Sequence, residues 1–174
     1  MVKMKVQVAL LLLTLSVSGL VAAADAKTPK PSPFCQNVRN AIGTSPDTAI
    51  QKLGKPASRE DKDMKSTHTE GVVDKVSILK YNGVRLGFLF SGETSSSILL
   101  GAEFAAGKFS ADLNALVPPS KEAALAKLGK PEEEQDDPNT LRYFCTSDLN
   151  EWVDLVYNPT SQLIATLIFT SHID

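Results

Sequence analysis

Two cysteines, two histidines, one tryptophan and an aromatic content of 6% leave this 174-residue chain short of the side chains that most often carry metal or nucleophilic chemistry. His68 and His172 each lack a second imidazole at ligand spacing, which argues against a zinc site. No G-x-S-x-G elbow, H-E-x-x-H helix, Walker loop or dinucleotide fingerprint occurs, and Ser95 to Ser97 reads as a turn rather than a nucleophile. Basic residues do not exceed acidic ones, 18 against 20 for a net charge of -2, so nucleic acid is not an expected partner. Ten glycines and ten prolines exclude collagen and long disorder. The acidic run Glu132-Glu133-Glu134-Gln135-Asp136-Asp137 lacks the spacing that wraps oxygens around calcium and reads as a solvated loop. A contact with a basic partner is its functional alternative. Separation of carboxylates in space is invisible in sequence, so a carboxylate-dependent hydrolase stays open as a rival function.

There is one long apolar run, Val6 to Val21, preceded by Lys3 and Lys5 and followed by Ala22, Ala23, Ala24 and Ala26. Charged start, apolar middle and small-residue end are the layout of a secretory signal peptide over residues 1–26, with cleavage near Asp25 or Lys27. No basic stop-transfer flank follows, which disfavours an uncleaved anchor. Residues 27–33 hold three prolines and read as an extended tether. The expected mature protein is periplasmic or secreted, with no stable membrane anchor after cleavage. In such a compartment Cys35 and Cys145 are expected to form a disulfide, and reactive thiols are the rival reading.

Phe34 to Pro56 aligns without gaps on Phe109 to Pro131 at a constant offset of 75 positions. Phe34/Phe109, Ser45/Ser120, Ala49/Ala124 and Lys52 to Pro56 against Lys127 to Pro131 are identical, and apolar positions between them stay apolar. Phe34, Val38, Ala41 and Ile42 recur at helical spacing, as do Phe109, Leu113, Leu116 and Val117. Ser45 and Ser120 then suit the N-cap of a second helix, and Gly54-Lys55-Pro56 and Gly129-Lys130-Pro131 end it. After each helical pair the period changes to two. Val76 to Tyr81 and Val84 to Phe90 flank Asn82-Gly83, the preferred two-residue hairpin turn, and Ser97 to Phe104 makes another strand. Thr140 to Cys145, Glu151 to Tyr157 and Gln162 to Phe169 take the same parts later in the chain. The pattern predicts an α+β fold of two tandem helix-helix-antiparallel-sheet repeats, 34–108 and 109–174, with adjacent sheets and helices packed on one face.

Alternation assigns strand faces. Val84, Leu86, Phe88 and Phe90 share one side, as do Val153, Leu155 and Tyr157, and these are expected to meet the helices. The opposite side carries Arg85, Gly87 and Leu89 in the first copy and Trp152, Asp154 and Val156 in the second; the hairpin register puts Lys80 beside Arg85. The copies also differ in charge, +2 over 34–108 and −7 over 109–174, which suits one asymmetric partner. Trp152, Asp154, Val156, Arg85, Lys80 and Leu89 are therefore the candidate partner-binding residues. Trp152 reads equally as an interface anchor or as a residue packed between the copies.

The paired Ala49-Ile50-Gln51-Lys52-Leu53-Gly54-Lys55-Pro56 and Ala124-Leu125-Ala126-Lys127-Leu128-Gly129-Lys130-Pro131 segments, each followed by strands, resemble the β-lactamase-inhibitor-protein family and the related SmpA/BamE-type envelope module. The inhibitor resemblance implies a concave sheet platform that grips an exported enzyme. The SmpA/BamE resemblance implies an envelope assembly or maintenance factor. No cofactor is expected, and the leading expectation is an exported, non-catalytic protein-binding module, an inhibitor of a secreted or periplasmic enzyme being its sharper form.

Overall fold

The computed structural model describes residues 30–66, 69–131, 135–148 and 150–172. The expected signal peptide, the first part of the tether, His68 and Glu132 to Glu134 lie outside the described residues. Within them the chain runs α1 (Pro33–Ile42), α2 (Pro46–Leu53), β1 (Ser58–Lys65), β2 (Val73–Tyr81), β3 (Val84–Ser91) and β4 (Ser96–Ala105). It continues through α3 (Ala111–Leu116), α4 (Lys121–Leu128), β5 (Thr140–Phe144), β6 (Glu151–Tyr157) and β7 (Ile164–Ser171).

All seven strands join in one antiparallel sheet of order β1-β2-β3-β4-β7-β6-β5. This corrects the expectation of two helix-helix-sheet repeats with adjacent sheets under a helical layer. The helices are few and short, six to ten residues each, and the sheet is continuous. β4 pairs directly with β7, Gly101 to Ala105 against Thr170 to Thr166, so main-chain hydrogen bonds cross what had looked like a border between copies. The physical reason is edge economy: two separate sheets would expose four rows of unpaired backbone groups, and one sheet exposes two. α1 also reaches beyond its own copy, lying against α3, β5 and β6 as well as α2.

The helix ends follow local chemistry. Ser45 accepts from the Thr48 backbone N–H while Thr48 Oγ1 accepts from the Ser45 N–H, a reciprocal box that satisfies two donors without partners in the first turn. Ser120 accepts from the Ala123 N–H alone. Gly54 and Gly129 take φ of +83° and +81°, a region that disfavours any side chain, and each donates back to the helix, to Ile50 and Leu125. Their carbonyls then receive Tyr81 and Tyr143 hydroxyls at 3.1 and 3.0 Å. Burial pushes the Tyr143 phenol up to about 12 and raises Tyr81 and Tyr157 as well, Tyr157 further through its neighbour Tyr143.

One face of the sheet makes the core. Leu79, Leu86, Phe88, Phe104, Val153, Leu155, Tyr157, Leu167 and Phe169 gather with Phe34, Val38, Ile42, Leu113 and Ala124 from the helices. Strand β1, with the sequence SREDKDMK and every residue exposed, forms one edge, and its charges discourage pairing with another chain. Its Asp61 accepts from the Ser77 hydroxyl and from Arg59, and those two contacts hold its carboxyl below the usual range.

Candidate functional site: the outer face of the sheet

Residues of opposite parity to the core set make the second face. The register runs Lys80 beside Arg85, Arg85 beside Glu103, Glu103 beside Ile168, Ile168 beside Asp154 and Asp154 beside Arg142, one row across six strands. A parallel row holds Ile78, Gly87, Gly101, Thr170, Trp152 and Phe144. Val76, Leu89 and Ile98 lie to one side, and Val156 lies beside Thr166 and Thr140 on the other. The six sequence-selected residues, Trp152, Asp154, Val156, Arg85, Lys80 and Leu89, thus share one face, and Lys80 stands beside Arg85 as the Asn82-Gly83 hairpin requires. The helices contribute their buried side chains to the opposite face.

The face has two regions of different character. At the β5–β6 end Trp152 is built into a cluster. Its ring stacks on His172 at 5.0 Å, meets Phe144 edge-on at 6.5 Å and lies under the Arg142 guanidinium at 4.7 Å. Its indole N–H donates to Asp154 Oδ2 at 3.2 Å. Arg142 grips the same carboxylate with two N–H groups, at 2.7 and 2.8 Å, so three donors surround Asp154 at 8% exposure. Trp152 is thus partly buried between side chains of its own sheet and its neighbouring segment. Arg142, Phe144 and His172 were missed by sequence reasoning. Arg142 and Phe144 carry a signal after the fact, since they alternate with Leu141 and Tyr143 along β5; His172 carries none, because its stack depends on β7 lying beside β6.

The centre of the face is more open. Gly87 and Gly101 are directly opposite on β3 and β4, and a hollow of about 270 Å³ lies over them, bordered by Arg85, Glu103, Leu100, Ile168 and Thr170. Arg85 and Glu103 are both exposed, and neither forms an ion pair among the described residues. Lys80, by contrast, is tied to Glu60 of β1. Leu100 is the extra residue of a bulge where the register shifts between Gly87 and Phe88, so it rises beside the glycines.

A larger hollow, about 520 Å³, lies by α4 and the start of β5, between Leu125, Pro131, Pro138 and Leu141 with Lys121 and Asp137 at its mouth. Among the described residues no group of three His, Cys, Asp or Glu side chains could hold a metal ion. Cys35 and Cys145 are joined in a buried disulfide that fits an oxidising compartment, and no helix of the described residues is long and apolar enough to cross a membrane. No family model, curated protein or solved structure matches the chain.

Proposed function

We propose that the protein is an exported, non-catalytic binding module that docks another protein on the outer face of its sheet, an exported enzyme being the favoured class of partner. The observation that carries this reading is the convergence of Arg85, Leu89, Trp152 and Val156, taken from distant parts of the chain, on a face to which no helix of the described residues contributes its buried side chains. Apolar residues at intermediate exposure, a rigid aromatic anchor and charged rims are the composition of an interface centre and border. Seven strands of five to ten residues, about 4.8 Å apart, present on the order of 800 Å², the usual half of a stable complex. The export pattern at residues 1–26 and the Cys35–Cys145 bridge support a periplasmic or secreted location.

The test is a photo-crosslinking residue placed at Leu89 or Val156 on the outer face, and at Lys127 on α4 as control, in the living cell. The same exported protein captured from Leu89 and Val156 and not from Lys127 is the expected outcome. Equal capture from all three positions would reject the outer face as the docking surface.

A further inference from the structure

Glycine inside a strand weakens it by about 0.5–1 kcal/mol relative to alanine, so a facing pair needs a reason. Backbone conformation is not the reason at Gly87 and Gly101, because neither has a positive φ. Crowding is not the reason either: a Cβ at Gly87 would have its nearest neighbours at 4.0 Å and one at Gly101 would have Phe169 O at 3.5 Å, ordinary contacts. The glycines keep open a hole that the fold itself does not fill. Beside the hole stands a knob, Leu100, and at its rim stand one cation and one anion, Arg85 and Glu103, each without an ion-pair partner among the described residues.

A hole beside a knob and a cation beside an anion are complementary to their own rotated image. We propose that the occupant of this face in the free protein is a second copy of the same chain, related by a two-fold axis parallel to the strands and lying between β3 and β4. That operation exchanges β3 and β4 at equal height. Because Arg85 and Glu103 are directly opposite in the register, it lays Arg85 on the partner's Glu103 and Glu103 on the partner's Arg85. Leu100, at the height of Gly87 and Phe88, comes over the partner's Gly87 and fills the hole. On either side β2 covers the partner's β7, which at equal height lays Ile78 on Thr170 and the Lys80 stem on Ile168. The outward charges of this central region cancel, so stacking meets no net repulsion. Such an isologous contact closes on itself as a dimer and cannot grow into a fibre. It rests on the same face as the proposed docking function and regulates it, since a protein partner must displace the second copy.

The experiment is sedimentation velocity on the exported protein across a concentration series, with photo-crosslinking from Leu89 as a parallel arm. The expected result is a species of twice the mass of one chain at micromolar concentration. Arg85→Glu and Glu103→Arg each weaken self-association at least about tenfold by setting like charges face to face, and an equimolar mixture of the two regains the affinity. Gly87→Leu, which blocks the hole, also weakens the dimer while circular dichroism and the unfolding midpoint stay near wild type. A monomer at the highest concentration, or a dimer indifferent to all three substitutions, overturns the inference. A monomer that still crosslinks an exported protein from Leu89 overturns self-pairing and leaves the docking function standing. A dimer that crosslinks only itself overturns docking and leaves self-pairing standing.

Discussion

Arg142 serves two neighbours at once, clamping Asp154 through two N–H groups and lying over the Trp152 ring. Removing it strands a carboxylate of 8% exposure, to which the Trp152 indole N–H is then the one side-chain donor among the described residues. Arg142→Met is therefore expected to lower stability by about 3 kcal/mol in urea unfolding followed by Trp152 fluorescence, the cost of an uncompensated charge rather than the worth of the pair. Arg142→Met combined with Asp154→Leu should recover most of that loss. Equal losses in the single and double variants would contradict this account. Arg85 stands on the same face under different physics: exposed and without an ion pair among the described residues, it contributes little to folding, and Arg85→Glu is expected to act on association alone. Parity along the strands was enough to place Arg85 and Trp152 on one face. Which of them was already engaged depended on Arg142 and His172, residues of the neighbouring β5 and of the segment that follows β7.

At the scale of elements, α1 is the clearest case of a local structure with a non-local role. Its apolar stripe, Phe34, Val38, Ala41 and Ile42, is readable as a helix and is buried as one. Its fastening is to the far end of the chain: Cys35 to Cys145, the Ser32 N–H to Phe144 O at 2.7 Å, Gln36 Nε2 to Cys145 O at 2.7 Å and Arg39 Nη1 to Glu151 Oε2 at 3.0 Å. The disulfide closes a separation of 110 positions, and in the chain-entropy model such a loop is worth about 4 to 5 kcal/mol. Cys35→Ala with Cys145→Ala is expected to lower the unfolding free energy by about that much in guanidinium titration, and to do so in the unreduced protein only. A loss under about 1 kcal/mol would mean that the remaining contacts of α1 hold the element without the bridge. The second helices show the reverse relation, since Ser45, Thr48, Gly54 and their counterparts Ser120 and Gly129 act within one turn and were legible from their residue types.

For the whole molecule, the consequence of one sheet is one folding unit. A fragment ending at Lys108 would leave the β4 edge open and α1 without β5 and β6; a fragment from Phe109 would lack both β4 and the helix that covers its strands. Neither residues 27–108 nor residues 109–174 should melt cooperatively alone by circular dichroism, and the intact protein should show a single transition by every probe. A cooperative melt of either fragment would restore the view of two self-sufficient copies. Residue types and their spacing were enough for the short-range features: the helix stripes, the caps, the Asn82-Gly83 hairpin and the alternation that separates Leu86 and Phe88 from Arg85 and Leu89. These rest on dihedral preference and period, which act over a few residues. Tertiary structure alone decided that β4 pairs with β7, that α1 crosses to the last strands, and that Gly87 meets Gly101 beside a bulged Leu100. The first two depend on satisfying strand edges and filling volume between segments 60 or more positions apart, where no local pattern encodes which distant edge a strand will meet; the third turns on a one-residue bulge between neighbouring strands.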